Sequence, residues 1–210
     1  TLGARSGDDY MVTSGISDGD EVVSNGVFAI DAAAQLSGKY SMMLRPEAKA
    51  VSQNQDVPEQ FRKQLTAFVK SYFTIKNALT ASDVASAQSA VSKSKASLTK
   101  VEMGLLDEKS HDIWMGLLKP IQGSLDKIQS TKDVEVQRSH FETLSDNLIS
   151  AVAYFGVEDN TVYKQYCPMA FKDKGAFWLS GEKEIKNPYF GEAMLTCGEV
   201  KEIFQPIDLN

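Results

Sequence analysis

From Glu59 onward the apolar positions recur at helical spacing. Phe61, Leu65, Phe68, Val69, Tyr72, Phe73 and Leu79 follow the i, i+4, i+7, i+8 rule of a single buried helix face. Ser82 stands just before "DVASAQSAVSKSKASLTKVEMGLL" and predicts the N-cap of a second helix. The stripe of that helix, Val84, Val91, Leu98, Val101 and Leu105, is thin, which predicts the most exposed helix of the set. A third runs through "HDIWMGLLKPIQGSLDKIQ", with Ile113, Trp114, Leu117, Ile121, Leu125 and Ile128 on its inner face. Pro120 has no backbone N–H, so a kink or a split is expected there. The fourth runs from Asp133, read as an N-cap, to Gly156, read as a C-cap, and buries Phe141, Leu144, Leu148, Ile149, Val152 and Phe155. Four amphipathic helices on short connections predict a mainly α fold, a four-helix up-and-down bundle.

The two ends of the chain break this pattern. Residues 1–36 hold β-branched stretches punctuated by Gly15, Gly19 and Gly26, and the Asp-Gly of "ISDGDEVV" predicts a turn between short strands. Two or three strands are expected there, followed by a helical turn or two at "AIDAAAQL". Residues 41–58, with Pro46, Pro58 and a polar cluster, read as a linker. Over residues 157–204 helical spacing is lost and Gly, Pro and aromatic residues alternate in "YCPMAF", "GAFWLS" and "NPYFG". A compact, irregular module with short strands is expected on one end of the bundle.

Charge narrows the function. The chain has 210 residues and a formal net charge of −6, an acidic balance that argues against a nucleic-acid partner. No apolar run is long enough to span a bilayer, and no signal peptide is visible. The opening "TLGARSGDDY" reads as a mature or excised piece of something longer.

Both cysteines fall in the C-terminal segment, each near a methionine: Cys167 with Met169, and Cys197 with Met194. In an extended strand, residues i and i+2 point to one side, and Pro168 favours extension of Cys167. Residues three apart share a face of a helical turn, as Met194 and Cys197 would. Converging thiolates and thioethers suit a soft ion such as Cu(I) or Ag(I), with Zn(II) behind them. The opposing reading is a disulfide or a pair of buried thiols, with the methionines filling core space. His140 is a possible additional ligand, although a lone helical histidine is usually a polar surface residue, and so is His111. Met42 and Met43 offer another soft pair or simply an apolar anchor. Cys167 with His140 is the one visible chance of a thiol nucleophile, and no nucleophile elbow, phosphate loop or CxxC pair is present, so no enzyme is expected.

Two stretches resemble known families. "TSGISDGDEVVSNGVFAIDAAAQL", through Ser14, Gly15, Gly19, Asp20, Val22, Val23, Gly26, Phe28, Ile30 and Asp31, resembles the C-terminal end of the membrane-proximal β domain of periplasmic adaptors. These are the membrane fusion subunits of Cus-type RND heavy-metal efflux pumps. The remainder resembles a helical domain of unknown function often fused after that segment. Its signature is carried by Tyr166–Ala170, Gly175, Trp178–Ser180, Ile185, Asn187–Gly191, Met194, Leu195, Cys197 and Gly198. "CPM" is also similar to small heavy-metal-binding modules of copper-transport proteins, with Ala170 in place of their histidine.

The resemblance implies residues 1–40 as the closing strands of the adaptor β domain, 41–58 as linker, and 59–210 as the bundle with its Cys/Met module. It implies the periplasm, a non-enzymatic metal-handling role, and an oligomeric full-length adaptor. The implied partners are an inner-membrane RND pump, an outer-membrane channel and a soft metal ion. With it, sulfur ligation by Cys167, Met169, Met194 and Cys197 becomes the leading reading. Tyr166, Trp178, Tyr189 and Phe190 are expected to shield that site or simply to fill the core.

Overall fold

The structure is a computed structural model that describes residues 56–207 in full and three further strands by their backbone. Those strands are β1 (Leu2–Ser6), β2 (Asp9–Val12) and β3 (Lys49–Val51). The chain divides between Pro46 and Glu47 into two compact units. In the first, β1 and β2 form an antiparallel pair with Arg5 opposite Tyr10 and Ser6 opposite Asp9. The strands expected around "ISDGDEVV", the adaptor-like pattern of residues 14–31, and Met42 and Met43 lie outside the described residues.

The second unit holds four long helices: α1 (Glu59–Thr80), α2 (Val84–Leu98), α3 (Glu108–Ser130) and α4 (Val134–Phe155). Each packs against the next, and α1 also meets α4, which makes the mainly α bundle. Three aspartates start three helices. Asp83, Asp107 and Asp133 accept from the backbone N–H groups of Ser86, Ser110 and Glu135 at 2.8–2.9 Å. Each such cap contributes about 1 kcal/mol. The cap of α2 is thus Asp83 and not Ser82. Ser82 instead terminates α1 in a left-handed conformation (φ 54°). There the Ser82 N–H donates to Leu79 O and the Asp83 N–H to Ala78 O, the paired bonds of a Schellman ending.

Pro120 does not split α3, which runs unbroken through it. The carbonyl deprived of a donor belongs to Gly116, an exposed residue without a Cβ, where water can replace the lost bond. The most exposed helix is α3 and not α2: it buries six of 23 residues, against five of 15 in α2. Ala87, Ala90 and Ser94 bury the α2 face alongside Val91 and Leu98, so small residues supply what a stripe of large ones misses. Ile113 and Leu117 are only half-buried.

The C-terminal module is more regular than its sequence suggests. Strands β4 (Val162–Cys167), β5 (Ala176–Ser180) and β6 (Glu199–Phe204) form an antiparallel sheet in the order β6-β4-β5. β3, from the stretch read as a linker, adds in parallel to the β6 edge, with Ala50 opposite Ile203. β5 packs on α4 and α1. Aromatic rings run without interruption from bundle to sheet. Tyr72 stacks on Phe141 at 4.9 Å, Phe141 meets Tyr189 at 6.0 Å, and Tyr189 meets Trp178 at 5.9 Å. The Tyr72 hydroxyl joins three elements, lying 2.7 Å from Ser145 Oγ on α4 and accepting the Leu179 N–H of β5 at 3.2 Å.

Candidate functional site

Cys167 ends β4, paired across the sheet with Ala176, and is fully buried. The chain then turns sharply through Phe171, Lys172 and Asp173, three successive non-glycine residues in the left-handed region (φ 52°, 59° and 64°). Such residues cost roughly 1–2 kcal/mol each. The turn is held by buried Ala170, by the Phe171–Tyr189 ring contact at 5.3 Å, and by the Gly175 N–H donating to Ala170 O. Gly175 has φ 77°, and the Tyr166 ring occupies the space a side chain there would need.

Cys197 is delivered by a different device. Asn187 is wholly buried and spends each of its groups on this loop. Its N–H donates to Leu195 O at 2.8 Å, its Nδ2 donates to Cys197 O at 2.9 Å, and its Oδ1 accepts the Tyr189 N–H at 2.8 Å. The Cys197 N–H donates to Met194 O. Gly198 follows at φ 144°, where a Cβ would stand 2.8 Å from Tyr166 O and 3.0 Å from the Trp178 ring. The chain passes close under the sheet because this residue has no side chain.

The two cysteines meet with both thiols free and Sγ to Sγ at 3.2 Å. A disulfide is about 2.05 Å long, so this is a hydrogen-bonded thiol pair. That contact, followed by partial burial, pushes the Cys197 thiol above its ordinary pKa. Met169 and Met194 are exposed, at 45% and 37%. His140 is half-buried on α4 and makes no ion pair or side-chain hydrogen bond among the described residues. Among those residues no three His, Cys, Asp or Glu side chains form a group able to hold a metal. Two of the expected ligands are therefore brought together. The methionines stand beside them along the chain, and no contact joins His140 to the pair.

The description "Protein of unknown function (DUF3347)" belongs to the family that matches residues 68–160. That stretch runs from within α1 to the loop after α4. It covers most of the bundle and ends before both cysteines. No curated protein and no solved structure matches the chain.

The module beyond the matched stretch is locked to it by a residue that sequence reasoning passed over. Arg138 of α4 is 5% exposed. Its Nε donates to Pro188 O at 2.9 Å, and its Nη2 donates to Ser82 Oγ at 2.9 Å and to Leu79 O at 3.3 Å. Its Nη1 pairs with Glu135. Gly191 lies against the same group, where a Cβ would be 3.0 Å from Nη2. The signature residues around it are thus architectural. Asn187 clamps the loop, Pro188 offers the acceptor for Arg138, and Gly191 permits the close approach. Tyr189 donates its hydroxyl to Phe177 O at 2.6 Å. Tyr189 and Trp178 are buried in the core, while Tyr166 and Phe190 are half-buried.

Proposed function

We propose that the thiol pair captures a soft cation, Cu(I) in the first place and Ag(I) by the same chemistry, as cargo rather than as a resident cofactor. The observation that carries this reading is the meeting of two unbonded cysteines, thirty residues apart, at 3.2 Å with one of them half-exposed. Thiolate and thioether are matched to such ions. A metal–thiolate bond is about 2.3 Å, so two sulfurs on one ion stand roughly 3.8 Å apart at tetrahedral angles and further apart when opposed. Capture therefore requires the pair to open by about half an ångström or more and to release both thiol protons to solvent. Met169 and Met194 would supply thioether ligands to complete the site. Zinc ranks lower, because its usual set of cysteine, histidine and carboxylate ligands is not assembled among the described residues.

In this reading the chain is the C-terminal part of a periplasmic adaptor of an RND heavy-metal efflux system. The bundle carries the sulfur module and delivers the ion towards the pump and its outer-membrane channel. The support is the resemblance of residues 14–31 and of the C-terminal signature. The competing reading, a structural or docking module with the cysteines as a staple, draws on the complete burial of Cys167 and the exposure of both methionines.

Anaerobic Cu(I) competition against a chromogenic chelator tests the choice. The reduced protein should bind one equivalent, Cys167→Ser should abolish binding, and Met194→Leu should weaken it. Binding by the reduced protein no tighter than that of Cys167→Ser would overturn the metal reading.

A further inference from the structure

A cleft of about 320 Å³, lined by none of the sulfur residues, lies between α1, the segment after α4 and the end of β5. Its size is at the small end for ligand pockets, which run from roughly 300 to 1,000 Å³. Val69, Phe73 and Val162 give it an apolar wall, and Asn77, Asn160 and Ser180 supply polar groups. Four charged residues also line it: Lys70, Lys76, Glu158 and Glu182.

Three of the four are neutralised within the protein. Glu158 accepts from Arg62 Nε at 3.3 Å, Lys70 pairs with Asp159 at 3.2 Å, and Glu182 pairs with Lys186 at 2.8 Å. Lys76 is the exception. It is 2% exposed, yet among the described residues its ammonium makes no ion pair and no hydrogen bond. The ammonium is not among the fully buried side-chain atoms left without a partner, so the stem is buried while the head opens to the cleft. A cation held there without a hydrogen-bond partner of its own is placed to receive an anion from the cleft. Burial accordingly lowers the Lys76 pKa; Glu182 and Glu184 oppose that shift, and Lys186 adds to it.

We propose that this cleft binds a small organic monocarboxylate, whose carboxylate pairs with Lys76 while its apolar body lies on Val69, Phe73 and Val162. The charge balance selects a single negative charge. With the other three lining charges paired inside the protein, Lys76 leaves one positive charge, which a monocarboxylate balances, a dianion such as phosphate exceeds and a cation would face. The carboxylate also restores the proton affinity that burial removes, so binding is tightest below the Lys76 pKa and weakens as pH rises through it.

The probe is benzoate, titrated into the reduced, metal-free chain and followed by backbone amide NMR, with benzyl alcohol as the uncharged control. Benzoate should shift the amides of Lys76, Asn77 and Gly181 saturably, and benzyl alcohol should bind at least about tenfold more weakly. Lys76→Met keeps the buried apolar stem and removes a charge that has no hydrogen-bond partner among the described residues, so it should fold and lose about tenfold or more in benzoate affinity. Absence of a saturable shift, equal binding of benzyl alcohol, or full benzoate affinity in Lys76→Met would each overturn the proposal. The Cu(I) reading stands or falls independently, because none of its residues lines this cleft.

Discussion

Replacing Arg138 with methionine isolates what fastens the sulfur module to the bundle. The guanidinium donates to Pro188 O, Leu79 O and Ser82 Oγ, and it pairs with Glu135. The Glu135 side chain is 70% exposed, so that pair contributes little. Ser82 is exposed and its hydroxyl can return to water. Leu79 O keeps the Ser82 N–H as a donor, so the loss rests on the carbonyl of Pro188, a buried residue. Leaving that buried acceptor unpaired costs about 1–3 kcal/mol, so Arg138→Met should lose about 1–3 kcal/mol. Arg138→Lys should recover only part of this, because an ammonium is a point charge and cannot serve acceptors lying in three directions. Urea unfolding followed by circular dichroism measures the effect as a lower midpoint at unchanged slope. The loop held by Pro188 also carries Asn187, so alkylation of Cys197 should accelerate in the same variant. A midpoint within about 0.5 kcal/mol of the parent, or a lysine variant equal to it, would refute the lock.

Two further outcomes follow from the same geometry. Gly198→Ala places a Cβ 2.8 Å from a backbone oxygen at φ 144°, and should cost about 2–4 kcal/mol while separating the thiols, read by unfolding and by faster thiol alkylation. Burial holds the Tyr72 phenol well above the ordinary tyrosine value, so the folded state favours its neutral form. The resulting stabilisation is complete below about pH 10 and is lost as pH rises towards the folded value. Phenolate absorbance at 295 nm should show Tyr72 un-ionised at pH 11 while the chain stays folded. Ionisation of every tyrosine by then, without unfolding, would contradict it.

The bundle could be read from the sequence because its information is local. Phe61 to Leu79 and Phe141 to Phe155 repeat at the helical period, and each stripe is buried almost as spaced. Asp133 and Gly156 cap α4 where their own chemistry placed them. The misplacements arise where a residue answers to two elements. Ser82 had the right side chain for a cap, but the ending of α1 takes it into the left-handed region and leaves the cap to Asp83. The sheet was harder to see because its pairing is distant: β4 joins β6 across some forty positions, and β3 comes from a stretch that reads as linker. Only the cysteine pair of the candidate site announced itself, through the rarity of the residue type. Arg138 and Lys76 look, in sequence, like any solvated helical cation. What distinguishes them is whether an acceptor arrives from elsewhere. For Arg138 it comes fifty residues later, from Pro188. For Lys76 none arrives among the described residues, and the cleft beside it is left to supply one. A buried cation on a helix thus becomes a fastening in one place and a binding group in the other, and the difference lies in the far side of the contact.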